Sequence, residues 1–125
     1  MRDEMSRKHR ILIIDDNRTI VDALKLFLSQ KYEIATANNG VEGLEAIEQI
    51  ENGIDLVITD LVMPELSGVV LISIVKKKYP KIPVIAMTGW DDHPAALARE
   101  ANADRLLLKP FELDSLEGYV TELLS

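Results

Sequence analysis

Ile54-Asp55-Leu56-Val57-Ile58-Thr59-Asp60-Leu61-Val62-Met63-Pro64-Glu65-Leu66-Ser67-Gly68 is the stretch on which the fold turns. It opens as an apolar, β-branched run, Ile54 to Thr59, that reads as a strand covered on both faces. It then delivers a carboxylate, Asp60, followed by the turn residues Pro64, Ser67 and Gly68. A carboxylate at the end of a buried strand is costly unless something pairs with it. Three other apolar runs end in polar groups suited to that pairing: Asp15-Asp16, Thr88-Gly89 and Lys109-Pro110.

Outward from that strand, strand and helix patterns alternate. Arg10 to Ile14, Tyr32 to Ala37, Ile82 to Met87 and Asp104 to Leu108 read as further strands. Asn17 to Gln30 places Ile20, Leu24, Phe27 and Leu28 at helical spacing. Gly40 to Glu51 is helical, with Val41, Leu44, Ala46 and Ile47 inward, and stops at Asn52-Gly53. Ser67 is placed to cap a helix that runs to Tyr79 and ends before Pro80. Propensity alone would make Val69 to Val75 a strand. The cap, the length and Lys76-Lys77-Lys78 near a helix C-terminus favour a helix. Asp91 or Asp92 caps a short helix through Ala101, with Pro94 in its first turn. Glu112 to Leu124 is the last helix, with Leu113, Leu116, Val120 and Leu123 on one face. Strands alternating with helices predict an α/β domain, a parallel sheet wound on both faces. Residues 1–9 read as a tail and residues 10–125 as the domain.

At 125 residues the chain is one domain by length, with room for a hydrophobic core. A net charge of -7 argues against direct nucleic-acid binding by this domain, since phosphate contacts need Lys and Arg. The chain has no Cys, hence no disulfide and no thiol chemistry. No apolar run approaches the ~18 residues of a membrane span. Ile11 to Ile14 is too short for a secretory signal, so a cytoplasmic location is expected.

In an open parallel sheet, ligands gather beyond the carboxyl ends of the strands. Asp15, Asp16, Asp60, Thr88 and Lys109 all fall at such ends. Three neighbouring carboxylates repel one another unless a cation is present. Mg2+ suits such a set, with Asp16 and Asp60 as direct ligands, Asp15 direct or through water, and the Val62 backbone carbonyl as a further oxygen. Asp60 can attack phosphorus and form an acyl phosphate. Lys109 would balance charge on the transferring oxygens, Thr88 would hydrogen-bond one of them, and Gly89 leaves room for entry. Taken singly, each element has a plainer reading: a helix cap, a turn, a strand end. Together, in this order, they predict a phosphoacceptor site.

These residues resemble the receiver domain of two-component response regulators, CheY-like and flavodoxin-like in fold. The resemblance covers Arg10 to Leu124 and rests on Ile13-Ile14-Asp15-Asp16-Asn17, Asp60-Leu61-Val62-Met63-Pro64 with Gly68, Met87-Thr88-Gly89 and Leu108-Lys109-Pro110-Phe111. It implies a five-stranded parallel sheet of order 2-1-3-4-5 with five helices and a cis Lys109-Pro110 bond. It implies phosphotransfer to Asp60 from a histidine kinase or a histidine phosphotransfer protein, docking near Asn17, Arg18, Thr19 and Pro110. It further implies a phosphorelay switch that acts on an output domain or effector and catalyses only its own phosphorylation and dephosphorylation. Homodimerisation is left open. Leu106 stands where the family usually has Tyr or Phe, so a muted or altered change is expected in the surface formed by the fourth helix, fifth strand and fifth helix. Trp90 and Val62 are expected to hinder attacking water.

Other classes fit less well. A metal-dependent phosphatase would need a general acid near Asp60, where Leu61 and Val62 offer none. A flavin module would meet repulsion between Asp15-Asp16 and its phosphate. A receiver kept only as a scaffold would not need the full set of acidic residues, Thr88 and Lys109. Met1 close before the first strand favours a receiver at the start of its chain over one attached behind a kinase.

Overall fold

Five short parallel strands form the centre of the computed structural model, which describes residues 8–50, 53–89, 96 and 101–125. They are β1 (Arg10–Ile14), β2 (Glu33–Ala37), β3 (Leu56–Asp60), β4 (Val84–Gly89) and β5 (Arg105–Lys109), ordered β2-β1-β3-β4-β5. The helices are α1 (Arg18–Leu28), α2 (Gly40–Gln49), α3 (Gly68–Lys78) and α4 (Leu113–Leu124). The expected count of five helices is thus met by four among the described residues. The one expected between Asp91 and Ala101 falls almost entirely outside them.

The strands alternate their side chains between two apolar layers. Leu12, Ile14, Val57, Val84 and Ala86 meet Ile47 of α2 and Leu71, Ile72 and Val75 of α3. Ile11, Ile13, Ile58, Ile85 and Met87 meet Val21 and Leu24 of α1 and Leu116 and Val120 of α4. Burial on both sides explains why these strands read as unbroken apolar runs. β3 is buried at all five positions, Asp60 included. The chain leaves β1 for β2 on one side and continues with β3 on the other. Between β1 and β3 lies the switch point where such sheets open a crevice.

Local chemistry sets the helix ends. Asn17 accepts hydrogen bonds from the Thr19 and Ile20 backbone N–H groups, Asn39 from Glu42 and Ser67 from Val70, three N-caps. The β-branched run Val69 to Val75 is helical, because Leu71, Ile72 and Val75 are needed on one buried face.

Two expected core positions are corrected. Val41 is exposed; Ile47 is buried as expected, and Gly40 and Gly43 face inward beside it. α2 lies so close to β1 that a Cβ on Gly43 would sit 2.4 Å from Ile14 Cδ1, and this rotates its buried stripe onto the glycines. Leu113 is partly exposed, because α4 buries Leu116 and Val120 and leaves its first residue at the rim. The strands also run further than expected at their carboxyl ends. Asp60, Thr88, Gly89 and Lys109 belong to the ladder itself.

Candidate functional site

β1 ends at Ile14, and Asp15 follows it fully buried. Its backbone N–H donates to the Ala37 carbonyl at 3.3 Å. Its Oδ1 accepts from the Asn17 N–H at 3.0 Å, as α1 begins. Asp16, between them, is exposed. Asp60 closes β3 opposite Met87 of β4 and is 7% exposed. Its Oδ1 accepts a long hydrogen bond from the Val62 N–H, 3.4 Å.

The loop after Asp60 is folded tightly back. The Leu61 N–H donates to the Met87 carbonyl and the Gly68 N–H to the Leu61 carbonyl, both at 2.9 Å. Glu65 takes the left-handed conformation, φ 71°. A Cβ at Gly68 would lie 2.0 Å from the Asp60 carbonyl oxygen, so only glycine lets α3 start against this backbone.

From β5, Lys109 reaches across to both buried carboxylates. Its Nζ donates to Asp15 Oδ2 at 3.0 Å and to Asp60 Oδ2 at 3.3 Å. The Lys109-Pro110 bond that follows is cis, as the resemblance implied. Thr88 is fully buried one residue beyond Met87, with Gly89 paired to Lys109. Leu106 pairs with Ala86, on the Thr88 side of the sheet, and packs against the layer beneath α2 and α3. Val62 is half-exposed beside the site. Trp90 lies outside the described residues.

The electrostatics follow from this crowding. Burial, and then the charge of Asp15, push the Asp60 carboxyl up from 3.8 to about 6, against the pull of Lys109 and the Val62 N–H. Burial disfavours the charge on Lys109, but its hydrogen bond to Asp15 and the charges of Asp60 and Asp15 outweigh that and raise it above 10.5. One ammonium thus faces three carboxylates, and one oxygen from each of Asp15, Asp16 and Asp60 lies within 4.8 Å of the others. An all-oxygen set that is net negative among the described residues suits a hard divalent cation such as Mg2+.

Asp15, Asp16, Asp60 and Lys109 are therefore brought together by these contacts, and Thr88 by its place in the ladder. Local pattern did not single out the contributions of the Val62 and Asn17 N–H groups to the carboxylates, because they are backbone groups whose residue type is almost immaterial. Nor did it reveal an apolar groove of about 450 Å3 beside Lys109, lined by Ile20, Ala23, Leu24, Pro110, Phe111 and Leu113. Its two walls are 80 residues and more apart in the chain.

The family model for the response regulator receiver domain matches residues 11–121. The sensor kinase CckA of Brucella abortus is 32% identical over 125 residues, which take in 97% of this chain and 13% of that protein. The chain spans 13% to 48% of the length of the first curated relatives, which are named as sensor kinases and transcriptional regulatory proteins. A response regulator receiver domain protein from Clostridium thermocellum superposes with a TM-score of 0.84 at 36% identity, covering 93% of this chain and 94% of that one. The response regulator TrrA of Thermotoga maritima, solved in complex with Mg(2+)-BeF, superposes with a TM-score of 0.82 at 36% identity, covering 93% of this chain and 99% of that one. Sheet order, buried carboxylates and a match across nearly the whole domain agree: the chain belongs to the response regulator receiver domain family.

Proposed function

We propose that Asp60 is the phosphoacceptor of this receiver domain, which runs over residues 10–125. The observation that supports it most is Lys109 joining two buried carboxylates, Asp15 and Asp60, beside a third at Asp16. An Asp60 carboxylate oxygen attacks the phosphorus of a phosphohistidine on a histidine kinase or a histidine phosphotransfer protein. The P–O bond forms, the N–P bond breaks, and the imidazole leaves. Lys109 balances charge on the phosphoryl oxygens, and the Thr88 hydroxyl donates to one of them. Asp15, Asp16, Asp60 and the Val62 carbonyl would hold Mg2+, which supplies positive charge to the transferring oxygens when bound.

The phosphodonor docks near Asn17, Arg18, Thr19 and Pro110, over the apolar groove between Ile20, Ala23 and Leu24 of α1 and the Lys109–Leu113 segment. The chain catalyses only its own phosphorylation and dephosphorylation, in the cytoplasm, and works on an output domain or effector protein. Leu106 transmits a smaller surface change than an aromatic residue would. Equal chemical-shift changes here and in a Leu106→Tyr variant on phosphoryl mimicry would count against that.

The test is to mix the protein with Mg2+ and acetyl phosphate and read intact mass. A phosphoryl-sized gain that needs Mg2+ and is lost in Asp60→Asn is expected. A gain retained in Asp60→Asn would overturn the assignment.

A further inference from the structure

The connection between β2 and α2 supplies no carboxylate to the site, yet it touches both loops that do. The Ala37 carbonyl accepts from the Asp15 N–H at 3.3 Å. Asn38 Oδ1 accepts from the Arg18 guanidinium at 3.3 Å, at the first residue of α1. Gly40 opens α2 directly on Leu66, in the loop between Asp60 and Gly68. A Cβ there would lie 2.9–3.1 Å from Leu66 Cδ2, Cβ and Cγ.

The connection is itself rigid. Asn39 Oδ1 accepts from the Glu42 N–H at 2.8 Å, and Glu42 Oε1 accepts from the Asn38 N–H at 3.0 Å, a reciprocal cap. α2 cannot drift closer, because Gly43 already rests on Ile14, the residue before Asp15.

We infer that residues 37–40 form a strut that sets the spacing between the Asp15-Asp16 loop and the Asp60–Val62 loop. Gly40 and Leu66 are then positioning residues for divalent-cation binding by these carboxylates. The inference rests on the cation-site reading given above. Mg2+ demands near-octahedral geometry at short range, so a shift of a few tenths of an ångström between the two loops matters. A methyl at Gly40 would meet the Cβ of Leu66 as well as its flexible end, so the Leu66 loop or the start of α2 must give by a few tenths of an ångström, which changes the spacing the strut sets.

Mn2+ titration by calorimetry on the full chain tests this, alongside melting curves. Gly40→Ala and Leu66→Ala should each weaken Mn2+ binding about tenfold, the scale seen when groups behind metal ligands are altered. Ile47→Val, which thins the core under the same helix, should lower the melting temperature and leave the affinity unchanged. Wild-type affinity in Gly40→Ala, or an equal loss in Ile47→Val, would overturn the strut. Should Gly40→Ala fail to fold, Leu66→Ala decides, and wild-type affinity there overturns it. A wild type that takes no Mn2+, or an Asp16→Ala variant that binds as well as wild type, would bring down the cation-site reading and the strut with it.

Discussion

Replacing Asp60 by Asn should stabilise the metal-free fold. The Asp60 carboxyl is pushed from 3.8 up to about 6 by burial and by Asp15, with the attraction of Lys109 already counted. At about 1.36 kcal/mol per pH unit, the ionised form costs the folded state about 3 kcal/mol relative to the neutral one. Water at the mouth of the site reduces that to about 2 kcal/mol. Because the folded-state value lies above the unfolded one, the protonated group contributes stability that is complete below pH 3.8 and lost as pH rises through about 6. Asn mimics the protonated form at every pH. In urea at pH 7.5 without divalent cation, Asp60→Asn should therefore exceed wild type by about 2 kcal/mol, or about 8 °C in melting temperature. The gap should shrink by roughly half at pH 5. It should shrink also when Mg2+ is added, since the cation stabilises the wild type by binding its folded state. A variant no more stable than wild type at pH 7.5 without metal would refute the electrostatic reasoning.

Three further substitutions probe the packing at the two ends of the sheet and on α4. Gly68→Ala places a methyl 2.0 Å from the Asp60 carbonyl oxygen. It should cost about 3 kcal/mol in urea unfolding and weaken Mn2+ binding, whereas Gly118→Ala, in open space, should be neutral or stabilising. Asp104→Ala should cost about 2–3 kcal/mol by the same assay. It strands the buried Val84 N–H, now 2.7 Å from Asp104 Oδ2, and removes the ion-pair partner of Lys76, leaving its bond to the Ile82 carbonyl.

The α/β class and the strand–helix order were legible because β1, β3 and β4 are buried on both faces and so read as apolar runs. The helix over Val69 to Val75 was legible only through its ends, Ser67 and the lysines, since its interior favours a strand on propensity. Asp15, Asp60 and Lys109 stood out as polar groups closing apolar runs. What stayed hidden is tertiary. The exposure of Val41 depends on how closely Gly43 lets α2 approach Ile14. The contact of Gly40 with Leu66 joins segments with no shared local pattern. Asp60 and Thr88 fall inside their strands because neighbouring strands extend the ladder, which no single run of residues reveals.

The bond from Lys109 to Asp15 closes over 94 residues of chain. During synthesis the first carboxylates emerge early, but the ammonium that joins them arrives on the last strand, after every other part of the sheet. A chain stopped before Lys109 therefore holds mutually repelling acids without the ammonium that joins two of them. Competence for chemistry is reached only with β5 in place, so the site itself certifies that the described sheet is complete.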